Sequence, residues 1–420
     1  MKYHYLKLSS ILVVASLLAP AVVAQQATTA PAKPFDPVEV SATLKAAKPG
    51  DAIQIHGLDL ATLTKLPWTK TVLPNTPPLV FSDKPEYFRT GNGIALQEEV
   101  PAGRFRLYVY HVPEPTGETK IITATAENLS DQPATLTFHR YSFPAPGGDY
   151  HNMAKQSMAE FLAENPAPAA IAARTIAPKS RIVIDPAMEV PVKKDILVHG
   201  WYELESTQPL KITTFQRDLD ADSLTVSDSL PKLPKQLPGF HASGAGRGVF
   251  PNTEFAITTP NDTSTGKPGV YDTASGNVQL VLADGTPTAT QSAGWIEGKD
   301  SISGESGPAN INKGNYGALY HIRIPYKSSD GRALALVAAN ARADGKWCKF
   351  AAMSVKVSDG LTPGGVVKLP AAKVRYEGLP EAVVVQTFAP TAGEGVIELT
   401  YTPPGASCLP QHFLLVPYNK

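Results

Sequence analysis

A mainly β chain of two β-sandwich-like domains, the first carrying one amphipathic helix, is the fold that three observations predict. The first is proline: 39 of 420 residues, about 9% against a usual ~5%. Proline breaks helix interiors but is tolerated at strand edges and in turns, so the excess favours short strands joined by tight loops. The second is a succession of short runs with period-two or apolar patterning, separated by Gly, Pro, Asn and Asp clusters. The third is that a single stretch, 150–164, carries a clear helical stripe.

The elements follow in order. Residues 1–24 begin with Lys2 and Lys7, continue with an apolar run and end in Val22-Val23-Ala24, the pattern of a secretory signal peptide cleaved before Gln25. Residues 25–37, small and proline-rich, read as a tether. Strands are expected at 38–44 and 52–58. Residues 93–100 and 104–112 then form an expected hairpin. In its second arm Phe105, Leu107, Val109 and His111 alternate with Arg104, Arg106, Tyr108 and Tyr110, giving one apolar and one polar-aromatic face. A second hairpin is expected from 119–127 and 134–143. The helix at 150–164 has Asp149 as its N-cap and buries Met153, Met158 and Phe161. Strands resume at 181–184, 195–203 and 210–216. Together 38–223 make the first domain. Residues 224–248, with Pro231, Pro234, Pro238 and a glycine-rich end, read as a linker. The region 249–420 is a second β-rich domain with strands near 254–258, 277–282, 317–325, 332–340, 348–357, 382–388, 395–401 and 412–417.

Charge excludes some partners. Basic and acidic residues balance at 38 each, and no run of five like charges occurs. A basic stripe for nucleic acid and a polybasic segment for an anionic membrane are therefore both missing. No stretch after residue 24 approaches ~18 continuous apolar residues, so the mature chain is expected outside the cytoplasm without a transmembrane segment. Cys348 and Cys408, the only cysteines, are expected to pair as a disulfide in an oxidising compartment.

Motifs that could carry chemistry are few. Gly304-Glu305-Ser306-Gly307 is similar to the nucleophile segment of chymotrypsin-like serine proteases, but no histidine has that family's setting, so it reads as a loop. A dinucleotide cradle must follow a strand and open a helix, whereas Phe250-Pro251 follows the glycines of 244–248 at once, so these read as a turn or linker. Asp218, Asp220 and Asp222 match the first oxygen positions of an EF-hand loop, while Ser223 and Ser229 stand where its glycine and bidentate glutamate belong. The two readings are an atypical calcium site and a solvated acidic turn. Histidines lack HxH or HxxxH spacing for zinc. His151 with Met153 and Met158 would suit copper, though the methionines also belong to the helix stripe. Trp295 and Trp347, each beside glycine and charge, are the candidate ligand-binding aromatics, suited to sugar rings. His111, on an apolar strand face, is expected to be a hydrogen-bonded core residue.

The segments Gly93-Ile94-Ala95-Leu96-Gln97-Glu98, Gly103-Arg104-Phe105-Arg106-Leu107-Tyr108, Asn128 and Gly314-Asn315-Tyr316-Gly317 with Tyr320 resemble a class of uncharacterised secreted bacterial proteins. Some of those carry stalk repeats named after the N-terminal domain of copper amine oxidases. The resemblance spans roughly 80–355 and implies a place at the cell envelope. No stalk repeat is visible here. Asn315-Tyr316-Gly317 also lacks the acidic residue after the cofactor-forming tyrosine, so no oxidase activity is implied. The expected function is that of a non-catalytic envelope or extracellular structural or binding protein, partnered by envelope polysaccharide or other envelope proteins. The alternative is a carbohydrate-active enzyme or carbohydrate-binding protein with an aromatic-lined cleft. Two carboxyl groups within roughly 5–10 Å of each other in such a cleft would favour the enzyme, and their absence the binding protein.

Overall fold

The computed structural model describes residues 34–89, 91–113, 118–240, 243–283, 294–339, 352–374, 382–407 and 409–420. The expected signal peptide, the disulfide between Cys348 and Cys408, and Trp347 all lie outside the described residues. The fold is mainly β and sandwich-like. In the first sandwich, one sheet runs Arg181–Val183, Thr119–Asn128, Leu210–Arg217, Gly93–Val100. The sheet facing it has Leu79–Ser82, Gly103–Pro113, Val198–Ser206, Ala134–Ser142 and Ala173–Ile176 as successive neighbours. Phe105, Leu107, Val109, Ile122, Tyr202, Leu204 and Ile212 fill the core between them.

The two expected hairpins are instead arches. Gly93–Val100 pairs with Leu210–Arg217, whereas Gly103–Pro113 pairs with Val198–Ser206 in the opposite sheet. Thr119–Asn128 and Ala134–Ser142 are likewise split between sheets. The reason is burial on both sides of the strand. A hairpin with one wet face suits polar alternate residues, but Tyr108, Tyr110 and Arg106 are as buried as Phe105 and Leu107. Asn128 secures one arch by donating to Gln132 O at 2.7 Å and Ile176 O at 3.2 Å.

Residues 38–44 form no strand but most of a helix, α1 (Pro37–Ala46). Asp36 caps it, accepting from Val38 N at 2.8 Å, and Pro37 takes the first turn, where no N–H is needed. Val40 and Leu44, four apart on one face, bury against Ala335, Val337, Leu414 and Val416. Those residues belong to a sheet ordered Ala52–Ile53, Ala382–Phe388, Ala333–Ala339, Gln411–Tyr418, Val278–Leu282. Its other face packs on a second sheet that includes Glu254–Thr258, Leu319–Lys327, Gly395–Tyr401 and Met353–Val357. Both faces are covered, so Ala333–Ala339 and Ala382–Phe388 are buried throughout.

Strand pairing cuts across the expected units 38–223 and 249–420. Thr69–Val72 joins the second half by pairing with Glu254–Thr258. Arg247–Phe250, at the end of the expected linker, pairs with Leu79–Ser82 and carries Ile296–Asp300 and Glu305–Asn312 into the large sheet of the first sandwich. Arg247 anchors this join. It is 1% exposed, bonds Asp300 Oδ2 at 2.9 Å, and donates to Leu233 O and Ala95 O at 2.7 and 2.9 Å.

The second helix, α2 (Tyr150–Leu162), starts at Asp149 as expected. Phe161 stacks on Trp201 of the first sandwich with centroids 3.8 Å apart. On its other flank Lys155 donates to Pro370 O and Ala372 O at 2.8 and 2.6 Å, and Ser354 Oγ donates to Lys155 O at 2.7 Å. The helix therefore fills the seam between the halves.

Candidate functional site

A cavity of about 250 Å³ opens where the two halves meet, lined by Asp83, Glu86, Tyr108, Tyr110, Lys313, Tyr316 and Ser407 among others. Period-two alternation along Gly103–Pro113 puts both Tyr108 and Tyr110 on the face turned to the second half, with rings 14° from parallel and centroids 6.4 Å apart. The loop after Leu79–Ser82 brings the acids. Val112 N donates to Glu86 O at 2.8 Å, and His111 Nδ1 donates to Pro85 O at 2.9 Å. His111 Nε2 accepts from Ser82 Oγ at 2.8 Å, so this histidine is the hydrogen-bonded core residue its strand position predicts.

The glycine-rich segment supplies the floor. Ala245 N donates to Asp83 Oδ2, and Gly244 N donates to the Glu86 carboxylate. Gly244 has φ +81°, and a Cβ there would lie 1.9 Å from Asp83 O. Only glycine allows that approach. Lys313 N bonds Ala245 O at 3.0 Å and so places its exposed side chain at the mouth.

Electrostatics single out the acid pair. Burial, and then the charge on Glu86, pushes the Asp83 carboxyl well above its ordinary range. Burial pushes Glu86 up to about 7. Two neighbouring carboxyls removed from water resist ionising together. Around them Tyr110 Oη and Ser407 Oγ, in side chains 4% and 7% exposed, have no hydrogen-bond partner among the described residues. Buried hydroxyls are normally satisfied, so two orphans in one small cavity mark a place built for something else to bond.

A larger groove of about 810 Å³ runs between Gln97–Glu99, Lys211, Lys232 and Glu297–Lys299. Its buried acid, Glu98, already accepts from Ser301 N and Oγ at 2.6 Å each. The smaller cavity therefore holds the chemistry still unspent.

His199 lies against Tyr108 and Tyr110 at 4.8 and 5.3 Å, with Nδ1 donating to Val109 O at 2.9 Å. Burial lowers both His111 and His199 to about 4. Unfolded histidines take protons below ~6.5, so the stability from neutral burial is complete above that pH. It is lost as pH falls through 4. Glu86 has the opposite sign: its contribution is full below the unfolded value of ~4.5 and is lost as pH rises through 7. The two effects oppose each other between pH 7 and pH 5. Glu86→Gln should therefore lose more stability than wild type over that interval, by about 2 kcal/mol. Urea unfolding at the two pH values measures it, and equal losses would contradict the assignment.

The residues singled out from sequence fare unevenly. Asp218, Asp220 and Asp222 are not brought together. Asp218 bonds Lys120 Nζ at 2.6 Å and Asn92 Nδ2 at 2.5 Å, while Asp222 caps the short helix Ser223–Val226 through Leu224 N. Among the described residues no group of three His, Cys, Asp or Glu side chains is placed to hold a metal ion. Trp295 is half-buried beside Ile296–Asp300 and does not line the cavity. Trp68 and Trp201 are core residues, the former donating to Val281 O at 3.0 Å. Asp83 and Glu86 carried no motif, and Gly244 belonged to a glycine-rich segment that read as a turn or linker. The sequence signals near the site were that glycine-rich segment and the polar-aromatic face of Tyr108 and Tyr110.

No family model and no curated protein matches this chain. Among solved structures, the CUB1-EGF-CUB2 domain of human MASP-1/3 aligns at 8% identity over 83% of this chain and 99% of that one, with a TM-score of 0.16. That likeness is too low to carry function across. Among the described residues no helix is long and apolar enough to cross a membrane.

Proposed function

We propose that this chain is an exported, non-catalytic binding protein whose cavity between Asp83–Glu86 and the tyrosine wall takes a small polyhydroxylated ligand, a single ring of an envelope saccharide. Export rests on the pattern of residues 1–24. The observation that carries the binding reading is the convergence of two carboxyls and two orphaned hydroxyls in one tyrosine-walled cavity of about 250 Å³. That is slightly below the ~300–1,000 Å³ of drug-sized sites, so one ring is the natural scale. Carboxyls and hydroxyls bond sugar hydroxyls, and tyrosine faces pack on ring C–H groups.

Hydrolysis is the second reading, favoured by Glu86 being held at about 7, near what a general acid needs. A glycosidase also needs an ionised carboxylate beside that acid. Asp83 is pushed up as well, which favours binding over cleavage. Monosaccharides titrated against the purified protein, followed by tyrosine and tryptophan fluorescence, test the reading. At least one should bind saturably at one site, and Lys313→Trp, which adds bulk at the exposed mouth, should weaken it. Silence across neutral, acidic and amino sugars would sink it.

A further inference from the structure

We propose that the ligand bears a protonated primary amine, seated between the Asp83 and Glu86 carboxyls, so that the saccharide this cavity selects is an amino sugar. The inference rests on the binding reading above and narrows it. Each carboxyl already accepts one backbone N–H, from Ala245 and Gly244. An ionised carboxylate has about four lone-pair sites, so most of the acceptor capacity of the pair remains unused. A ligand hydroxyl offers one proton and can serve one carboxyl. An ammonium offers three, enough for Asp83, Glu86 and the oxygen of Tyr110 or Ser407.

Charge points the same way. Two like carboxyls in a buried cavity are costly when both ionise, and a cation between them removes that cost. The ring faces of Tyr108 and Tyr110 add a second attraction for a cation. The protein's own cations nearby offset the cost only in part: Arg89 draws Glu86 down and Lys84 draws Asp83 down, yet burial outweighs both and the two carboxyls stay raised. Arg89 lies over the rings of Tyr87 and Phe240, 4.9 and 5.1 Å from their centroids. Lys313 is exposed at the mouth and Lys84 is partly exposed, and no ion pair joins either to Asp83 or Glu86 among the described residues. The orphaned Tyr110 hydroxyl is the observation independent of charge. It is 4% exposed and lines the same cavity.

Glucosamine and glucose differ at one position, amine against hydroxyl. Calorimetric titration of both, and of 1,4-diaminobutane, into the full chain at neutral pH decides the matter. Glucosamine should bind about tenfold or more tightly than glucose, since hydrogen bonds to charged partners exceed neutral ones by roughly that factor. Glu86→Gln should erase the preference. Tyr110→Phe should weaken glucosamine binding while the urea midpoint of the free protein stays unchanged or rises, because that hydroxyl bonds nothing among the described residues. Equal binding of the two sugars would overturn the amine and leave the saccharide reading standing. Binding of 1,4-diaminobutane with both sugars ignored would uphold the amine seat and overturn the sugar ring. No heat from any of the three would overturn both.

Discussion

Arg247→Ala is expected to cost about 3–5 kcal/mol, because it takes the buried guanidinium from Asp300, leaving that carboxylate only the longer Lys235 ion pair at 3.5 Å, and leaves two buried carbonyls without their donor. Both side chains are 1% exposed, and the guanidinium also serves two backbone carbonyls, Ala95 O and Leu233 O. Those carbonyls belong to different parts of the chain, one in Gly93–Val100 and one in the proline-rich segment. The loss should therefore be felt across the join rather than in one strand. Arg247→Lys should recover only part of it, since an ammonium on a single stem cannot reproduce the planar fork. Arg247→Met combined with Asp300→Leu should be milder than Arg247→Ala, because the buried carboxylate goes with its partner while Lys235 keeps Glu305. Urea midpoints of the three proteins test this. An Arg247→Ala midpoint near wild type would mean that solvent reaches Asp300 in solution.

Phe161→Ala should cost a similar amount, about 3–5 kcal/mol. Phe161 is fully buried, lies 1° from parallel over Trp201, and has the Arg140 guanidinium 5.2 Å from its ring centroid. Removing the ring opens a cavity at the seam that α2 fills. Phe161→Leu should recover most of the loss by restoring apolar volume, whereas the stacking part stays lost. Thermal unfolding checks the ordering. A near-silent Phe161→Ala would show that α2 is a surface element rather than part of the core.

The elements legible in the sequence were those whose local and tertiary demands agree. In α2 the Asp149 cap and the stripe of Met153, Met158 and Phe161 name the same helix from either direction. The strands Glu254–Thr258, Val278–Leu282, Leu319–Lys327, Ala333–Ala339, Ala382–Phe388, Gly395–Tyr401 and Gln411–Tyr418 fell close to their expected places for the same reason. Ile296–Asp300, Glu305–Asn312 and Gly365–Leu369 were not expected, and the 304–307 segment read as a loop enters the second of these. Residues 38–44 misled because Val38, Val40 and Leu44 fit both periods when taken alone, and Asp36-Pro37 was the deciding signal. The arches were hidden for a different cause. Whether strands joined by a short loop pair together or face each other depends on what covers their second face. For Tyr108 and Tyr110 that cover comes from residues some 200 to 300 positions away, such as Tyr316 and Gly405. The candidate site shared this fate. Asp83 and Glu86 are ordinary loop acids until the 243–246 segment returns over them, so no local spacing could have announced them.

α1 has a consequence for the order in which the chain can finish folding. Val40 and Leu44 share a core with Leu414 and Val416, and Asn419 N donates to Ser41 Oγ at 3.2 Å. Ala52–Ile53 pairs with residues 382–383. The beginning of the described chain thus completes a sheet in which an inner strand, Gln411–Tyr418, is made after the four others. Such distant pairing is slow, since loop-closure entropy must be overcome before the contacts reward it. A chain still emerging from the ribosome cannot hide this sheet face, because Gln411–Tyr418 has not yet joined it. Loss of those final residues would leave α1 without much of its floor and open a long strand edge beside Ala333–Ala339, the kind of edge that recruits neighbouring chains.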